Sequence, residues 1–154
     1  KDKQLAFGDV ASTSSHLVPK GLLFDAGLRT GQDYRETFLG SHDAVALAVQ
    51  NGHADAGGLS RHVYDSLIEK KILDPAKVVI IAESKPYPQY PWTMRSDLSP
   101  ALKQRIAATF LAIKDPAILK AFKAEGFAPA KDADYDVIRA LAISLGLELD
   151  KLSK

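Results

Sequence analysis

Three consecutive hydroxyl residues, Ser12, Thr13 and Ser14, stand between a short apolar run that ends at Gly8 and Asp9 and a second apolar run of helical character. A strand that stops at a tight turn and restarts as a helix leaves amide N–H groups without intrahelical partners. Hydroxyls beside those amides, with no acidic side chain between Asp9 and Lys20, make a seat for an anion. The plainer reading of the same residues is that Ser12 or Thr13 only caps the helix. His42 repeats the pattern. It follows Gly40 by two residues and precedes an apolar helix, where either ring nitrogen could give a hydrogen to an anion; alone, it reads equally as an exposed or capping histidine. The repetition favours function, because two loop-to-helix junctions of one α/β unit, STSS and GSHD, both carry donors and such junctions fall on one edge of an open sheet.

The acids point to structure more than chemistry. Asp9 reads as a brace for its turn, Asp43 as a cap or ion-pair partner, and Asp55, before two glycines, as an acceptor for backbone N–H groups or for a protonated group of a ligand. Ser14, His42 and Asp55 can be drawn as a hydrolytic triad, but the GxSxG elbow is missing. His16, His42, His53 and His62 show no metal-ligand spacing, and GxxxxGK[ST] is absent, so neither a metal nor any other cofactor is implied. Binding without catalysis is the simplest outcome.

Composition narrows the class. With 154 residues, 46% of them hydrophobic, the chain can build one ordinary core or two small ones. Its 20 basic and 19 acidic residues are scattered, which leaves no footprint for nucleic acid and no basic membrane-binding helix. The absence of cysteine excludes disulfides and thiolate metal sites. No 18-residue apolar run and no signal peptide are visible. The opening KDKQLAFGD, without a start methionine, reads as the beginning of a fragment or processed chain.

The elements that must position these residues can be laid out in order. Residues 4–8 form a candidate strand, residues 14–26 a helix bent or restricted by Pro19, and residues 34–39 a second strand. Residues 44–50 read as an apolar helix stopped by Asn51 and Gly52, and residues 61–71 as a helix with an apolar face. The run KVVIIAE, residues 77–83, is the strongest strand candidate, suited to burial on both faces. This order predicts an α/β sandwich. The segment SKPYPQYPW, residues 84–92, is too rich in proline for a helix. Beyond it helices are expected at 100–113, 116–124 and 135–145, the first two opened by the pairs Ser99–Pro100 and Asp115–Pro116.

The combination FGDVASTSS (residues 7–15), then FLGSHDAVALAVQNGHADAGG (38–58), resembles the second lobe of the periplasmic phosphonate/phosphite-binding proteins, the solute-binding partners of phosphonate-type ABC importers. PWTMRSDLSPALKQRIAATFLAIKD and EGFAPAKDADYDVIRAL resemble that family's return into its first lobe. The resemblance implies a type II periplasmic-binding-protein-like α/β fold, a sheet with helices on both faces plus a helical C-terminal segment. Residues 1–85 would be the second lobe, 86–95 the interlobe crossover, and 96–154 helices of the first lobe. It implies an oxyanion such as phosphite, hypophosphite or a short alkylphosphonate, held by Ser12, Thr13, Ser14 and His42. Ser15, which replaces the family's usual glycine, His62 and Tyr90 are possible cleft residues. Asp55 would belong to a structural strand–turn beside the cleft.

The expected partners are this ligand, an ABC permease, the N-terminal half of the protein, which would be missing, and a second copy covering the tail's apolar face. The expected location is periplasmic or membrane-anchored on the extracytoplasmic side. Amine-binding relatives carry carboxylates near His62 and Tyr90, so a ligand without an amine is expected. A regulatory ligand-sensing domain of the same fold and a small phosphoesterase are the alternatives.

Overall fold

A computed structural model describes residues 2–148. The described residues divide into two compact units, one made of residues 2–87 and 137–148, the other of residues 88–136. The first holds a three-stranded, wholly parallel sheet: β1 (Lys3–Phe7), β2 (Tyr34–Phe38) and β3 (Ala56–Gly57), in the order β2-β1-β3. Phe7 lies opposite Phe38, and Ala6 opposite Gly57, so the carboxyl ends of the strands share one edge.

The alternation of β1 decides where the helices go. Ala6 faces α2 (His42–Gln50), packing with Val45, Ala48 and Ala54. Leu5 and Phe7 face the other way, with Tyr34 of β2 and Leu23 of α1 (Val18–Asp25). Helices therefore cover both faces, as an α/β fold of right-handed crossovers requires. A third helix, α3 (Arg61–Glu69), follows β3 and puts Leu67 with Ala46, Leu73 and Val78 in a second core. The last helix, α6 (Asp136–Ser144), buries Ala142, and Leu141 packs over Gly21 of α1. No helix among the described residues is long and apolar enough to cross a membrane.

Two expectations need correction. The helix expected from Ser14 begins instead as a π turn, Thr13–Leu17, in which the N–H groups of both His16 and Leu17 reach the carbonyl of Ser12 at 3.1 and 3.0 Å. Pro19 then sits in the first turn of α1, directly after the π turn, and donates no N–H to that turn's carbonyls. The strand expected at 77–83 is not paired. Val78 is buried and its carbonyl accepts the Tyr64 hydroxyl at 2.9 Å, but Val79 and Ile81 are 68% and 81% exposed. A β-branched run becomes a strand only against a partner edge, and the two-residue β3 offers almost none.

The second unit contains α4 (Pro100–Ala112), α5 (Pro116–Phe122) and a 3₁₀ turn at Asp132–Tyr135. Ser99 and Asp115 cap the two helices through their side chains, accepting the N–H of Leu102 at 3.3 Å and of Ala117 at 2.8 Å. The unit's apolar centre is aromatic: Trp92 lies tilted against Phe110 and edge-on to Phe122, and Phe127 closes the group edge-on to both phenylalanines, with centroids 5.3–5.5 Å apart. The Tyr135 hydroxyl donates to the carbonyl of Gln89 at 2.8 Å. Residues 149–154, the end of the expected helical tail, lie outside the described residues.

Candidate functional site

Each strand ends in a loop that opens a helix, so three helix starts meet at the carboxyl edge of the sheet. After β1, the Asp9 carboxylate accepts the N–H of Ala11 at 2.8 Å and its carbonyl accepts that of Ser12 at 3.0 Å, bracing the turn as expected. The Ser12 hydroxyl accepts from the N–H of Ser15 at 3.1 Å and caps the π turn. The N–H groups of Thr13 and Ser14 have no backbone partner among the described residues, and their side chains stay partly open to solvent. These are the orphan donors of a helix start, with two hydroxyls beside them that have no partner among the described residues.

Ser15 holds this loop against the next. Its side chain is fully buried; the hydroxyl accepts the N–H of Gly8 at 2.7 Å and donates to the carbonyl of Gly58 at 2.5 Å. Gly58 cannot be larger, because a β-carbon there would stand 2.6 Å from the Pro19 ring. The chain after β2 is tied in by hydrogen bonds from Leu39 to Phe7 (2.9 Å) and from Gly40, which adopts φ +81°, to Gly8 (2.7 Å). Ser41 caps α2 through the N–H of Ala44 at 3.2 Å, which leaves His42 as the first helical residue.

His42 is half-buried, and its Nδ1 accepts the main-chain N–H of Ser60 at 3.0 Å. Burial lowers its pKa first, the nearby His62 lowers it further, and Asp43 offsets only part. His62, the second residue of α3, is exposed beside this junction. Thus Ser12, Thr13, Ser14, His42 and His62 come to one edge of one unit, while Ser15 lies inside the wall behind it. Tyr90 belongs to the other unit and is 76% exposed.

The triad on paper does not assemble. Such a triad needs an acid that accepts from the histidine Nδ1–H, yet Nδ1 of His42 is itself an acceptor. Asp55 is engaged at the start of β3, accepting the N–H of Gln4 at 2.8 Å and the Lys3 ammonium at 2.7 Å. Sequence reasoning missed Ser60. Its place before α3 could be read as a cap, but nothing in the sequence signals its bond across to His42.

The parallel sheet flanked by helices is an α/β periplasmic-binding-protein-like fold. The model of the family described as "ABC transporter, phosphonate, periplasmic substrate-binding protein" matches residues 1–135, and the chain belongs to that family. It is a family of transport-binding proteins and not of enzymes, and its location is periplasmic or extracytoplasmic.

The chain is 26% identical to the phosphate-import protein PhnD of Mycolicibacterium smegmatis over 95% of its length and 52% of the relative's. It is 29% identical to the phosphonates-binding periplasmic protein of Escherichia coli over 100% of its length and 50% of the relative's. Among solved structures, PhnD1 of Prochlorococcus marinus in complex with methylphosphonate matches with a TM-score of 0.82 at 26% identity, over 95% of this chain and 58% of that one. XAC2383 of Xanthomonas citri, bound to chloride ion, shares the fold with a TM-score of 0.69 at 23% identity, over 95% of this chain and 58% of that one.

The chain spans about half the length of the curated relatives it matches. The expectation of a C-terminal half alone is nevertheless corrected. The family model runs from residue 1 to 135 and the solved relative superposes on 95% of the chain, so the family pattern occupies nearly all of it. A missing N-terminal half and a dimer of the chain, both expected as partners, likewise find no support in the family match or the solved relative.

Proposed function

We propose that this protein binds a small phosphorus oxyanion, such as phosphite, hypophosphite or a short alkylphosphonate, as the solute-binding component of an ABC importer. A membrane permease is then its partner. Its place is the periplasm, free or anchored at the outer face of the membrane. The observation that carries this is that Thr13 and Ser14, whose amides have no backbone partner among the described residues, and His42, whose Nδ1 is taken up as an acceptor, follow the parallel neighbours β1 and β2 and so share their carboxyl edge. Ser12 shapes the seat, and Ser15 braces it from behind. The ligand of the solved relative, methylphosphonate, supports the ligand class. Residues 1–85 are proposed as one lobe of the binding protein, and residues 86–95 as the crossover that leaves it.

Calorimetry with phosphite, methylphosphonate, phosphate and sulfate tests the reading. Hydrogen bonds to a charged group contribute about 1.5–3 kcal/mol each, so Thr13→Ala with Ser14→Ala should weaken binding on the order of 100-fold or more. A double variant that binds as tightly as the parent would place the seat elsewhere.

Within this reading, ligands without an ammonium group are preferred over 2-aminoethylphosphonate. His62 and Tyr90 stand where the resemblance puts carboxylates in amine-binding members, and an ammonium beside a neutral or protonated histidine loses water without gaining a counter-charge. Competition between phosphite and 2-aminoethylphosphonate decides it. Equal or tighter binding of the amine would sink the claim, and a His62→Glu variant that gains no affinity for it would place the amine pocket elsewhere.

A further inference from the structure

We infer that Ser60 is a positioning residue for His42: its main-chain N–H, donated to Nδ1 at 3.0 Å, holds the imidazole in the tautomer whose single proton sits on Nε2. The inference rests on the reading of His42 as an oxyanion donor and says which form of the ring does the donating. A main-chain amide can only donate, so Nδ1 must present its lone pair, and a neutral ring then has its proton on Nε2. Charging the ring would put a second hydrogen on Nδ1, facing the N–H of Ser60, and would break the contact. The surroundings act in the same direction. His42 is half-buried; His62 approaches from α3 with the same sign of charge; Asp43, on its own helix, offers only partial compensation. Arg61, the other cation at the start of α3, is engaged by Asp65 and Glu83. The oxyanion is therefore met by a neutral hydrogen-bond donor and not by an imidazolium, and the pH response of binding follows the ligand's own ionisation.

The side chain of Ser60 is not what does this. Its hydroxyl is buried without a partner among the described residues, and it makes no capping bond to α3 although it occupies the cap position. A ligand approaching the open edge cannot reach a hydroxyl that solvent cannot reach. The backbone at Ser60, φ −73° and ψ 142°, is one that proline adopts, so Ser60→Pro removes the N–H and puts a ring carbon in its place that also turns the His42 ring out of this contact. Ser60→Ala keeps it.

The experiment is ¹⁵N NMR of the His42 ring in the full chain, without ligand and with inorganic phosphite, over about pH 5 to 8. The expected result is the Nε2–H tautomer in both states, with charging displaced below the ordinary histidine range near 6.5. Ser60→Ala should hold the same tautomer. Ser60→Pro should give a mixture, move the ring's titration up towards the ordinary range and weaken phosphite binding on the order of tenfold. An Nδ1–H tautomer or a charged ring at neutral pH in the parent protein would overturn the inference, even if Ser60→Pro does not fold. A parent that shows the Nε2–H tautomer yet binds no phosphite would overturn the ligand reading and leave the assignment of Ser60 upheld.

Discussion

Ser15 shows how a single buried hydroxyl can set the geometry of the sheet's carboxyl edge. It joins the turn after β1 to the strand-end at Gly58, giving a partner to one buried N–H and one buried carbonyl. Ser15→Ala would leave both groups unpaired in a place water cannot enter, at about 1–3 kcal/mol each, and should destabilise the protein by about 2–4 kcal/mol. Urea unfolding of the ligand-free protein measures this; a loss below about 0.5 kcal/mol would mean that the loop relaxes and re-pairs both groups. The hydroxyl-rich helix start that carries the proposed donors was legible in the sequence because capping and anion binding draw on the same local feature. The roles of Ser15 and Ser60 were not, since both depend on loops brought together from distant parts of the chain.

At the scale of elements, the sequence marked those with local signals. The strands at Lys3–Phe7 and Tyr34–Phe38, the stop of α2 at Asn51 and Gly52, and the capped starts of α4 and α5 all follow from patterns a few residues long. The run at 77–83 was misread because its residues say only that it suits a sheet, not whether an edge is free to receive it. The π turn was hidden for another reason: it depends on how the Ser12 carbonyl is shared, which composition does not encode.

One ion pair ties α1 to β2 in a way no spacing rule shows. Lys20 and Glu36 meet at 2.8 Å with side chains only 17% and 12% exposed, and Thr30 donates to the same carboxylate oxygen at 2.6 Å. Burial raises the pKa of Glu36, but the Lys20 ammonium and the Thr30 hydroxyl outweigh it and the net shift is downward. Lys20→Met removes one partner and leaves a carboxylate in a dry place, an expected loss of about 3 kcal/mol near neutral pH. A lowered carboxylate pKa stabilises above the unfolded value and is lost as pH falls through the folded one. The gap between Lys20→Met and the parent should therefore close in acid. Urea midpoints that differ equally at about pH 7 and about pH 3 would rule the pairing out as the cause.

At the scale of the whole molecule, the first unit carries two histidines that folding keeps neutral, and this sets its response to acid. His16 is 1% exposed, edge-on to Phe38 at 4.9 Å and tilted against Phe7 at 5.2 Å. Its Nδ1–H donates to the carbonyl of Val10 at 2.8 Å, and Nε2 is buried without a partner among the described residues. Burial lowers its pKa, Lys20 adds to the shift, and the bond to Val10 with the charges of Glu36 and Asp9 offsets part of it. His42 is lowered as well, by burial and by His62. For both rings the unfolded chain binds more protons than the folded one between the two pKa values, so stability rises with pH there. Their contribution is complete above the ordinary histidine value near 6.5 and is lost as pH falls through the folded values. Because Phe7, Phe38 and the turn at Val10 all touch His16, charging it should loosen β1, β2 and the turn after β1 together. The urea midpoint of the first unit's unfolding should therefore fall between about pH 7 and about pH 5, well above the range where Glu36 titrates. His16→Phe keeps an apolar ring between Phe7 and Phe38 but cannot charge. It should lower stability near neutral pH through loss of the Val10 bond and flatten most of the dependence, leaving the share that belongs to His42. A midpoint that stays level in the parent over that window would show that neither ring is held neutral by the fold.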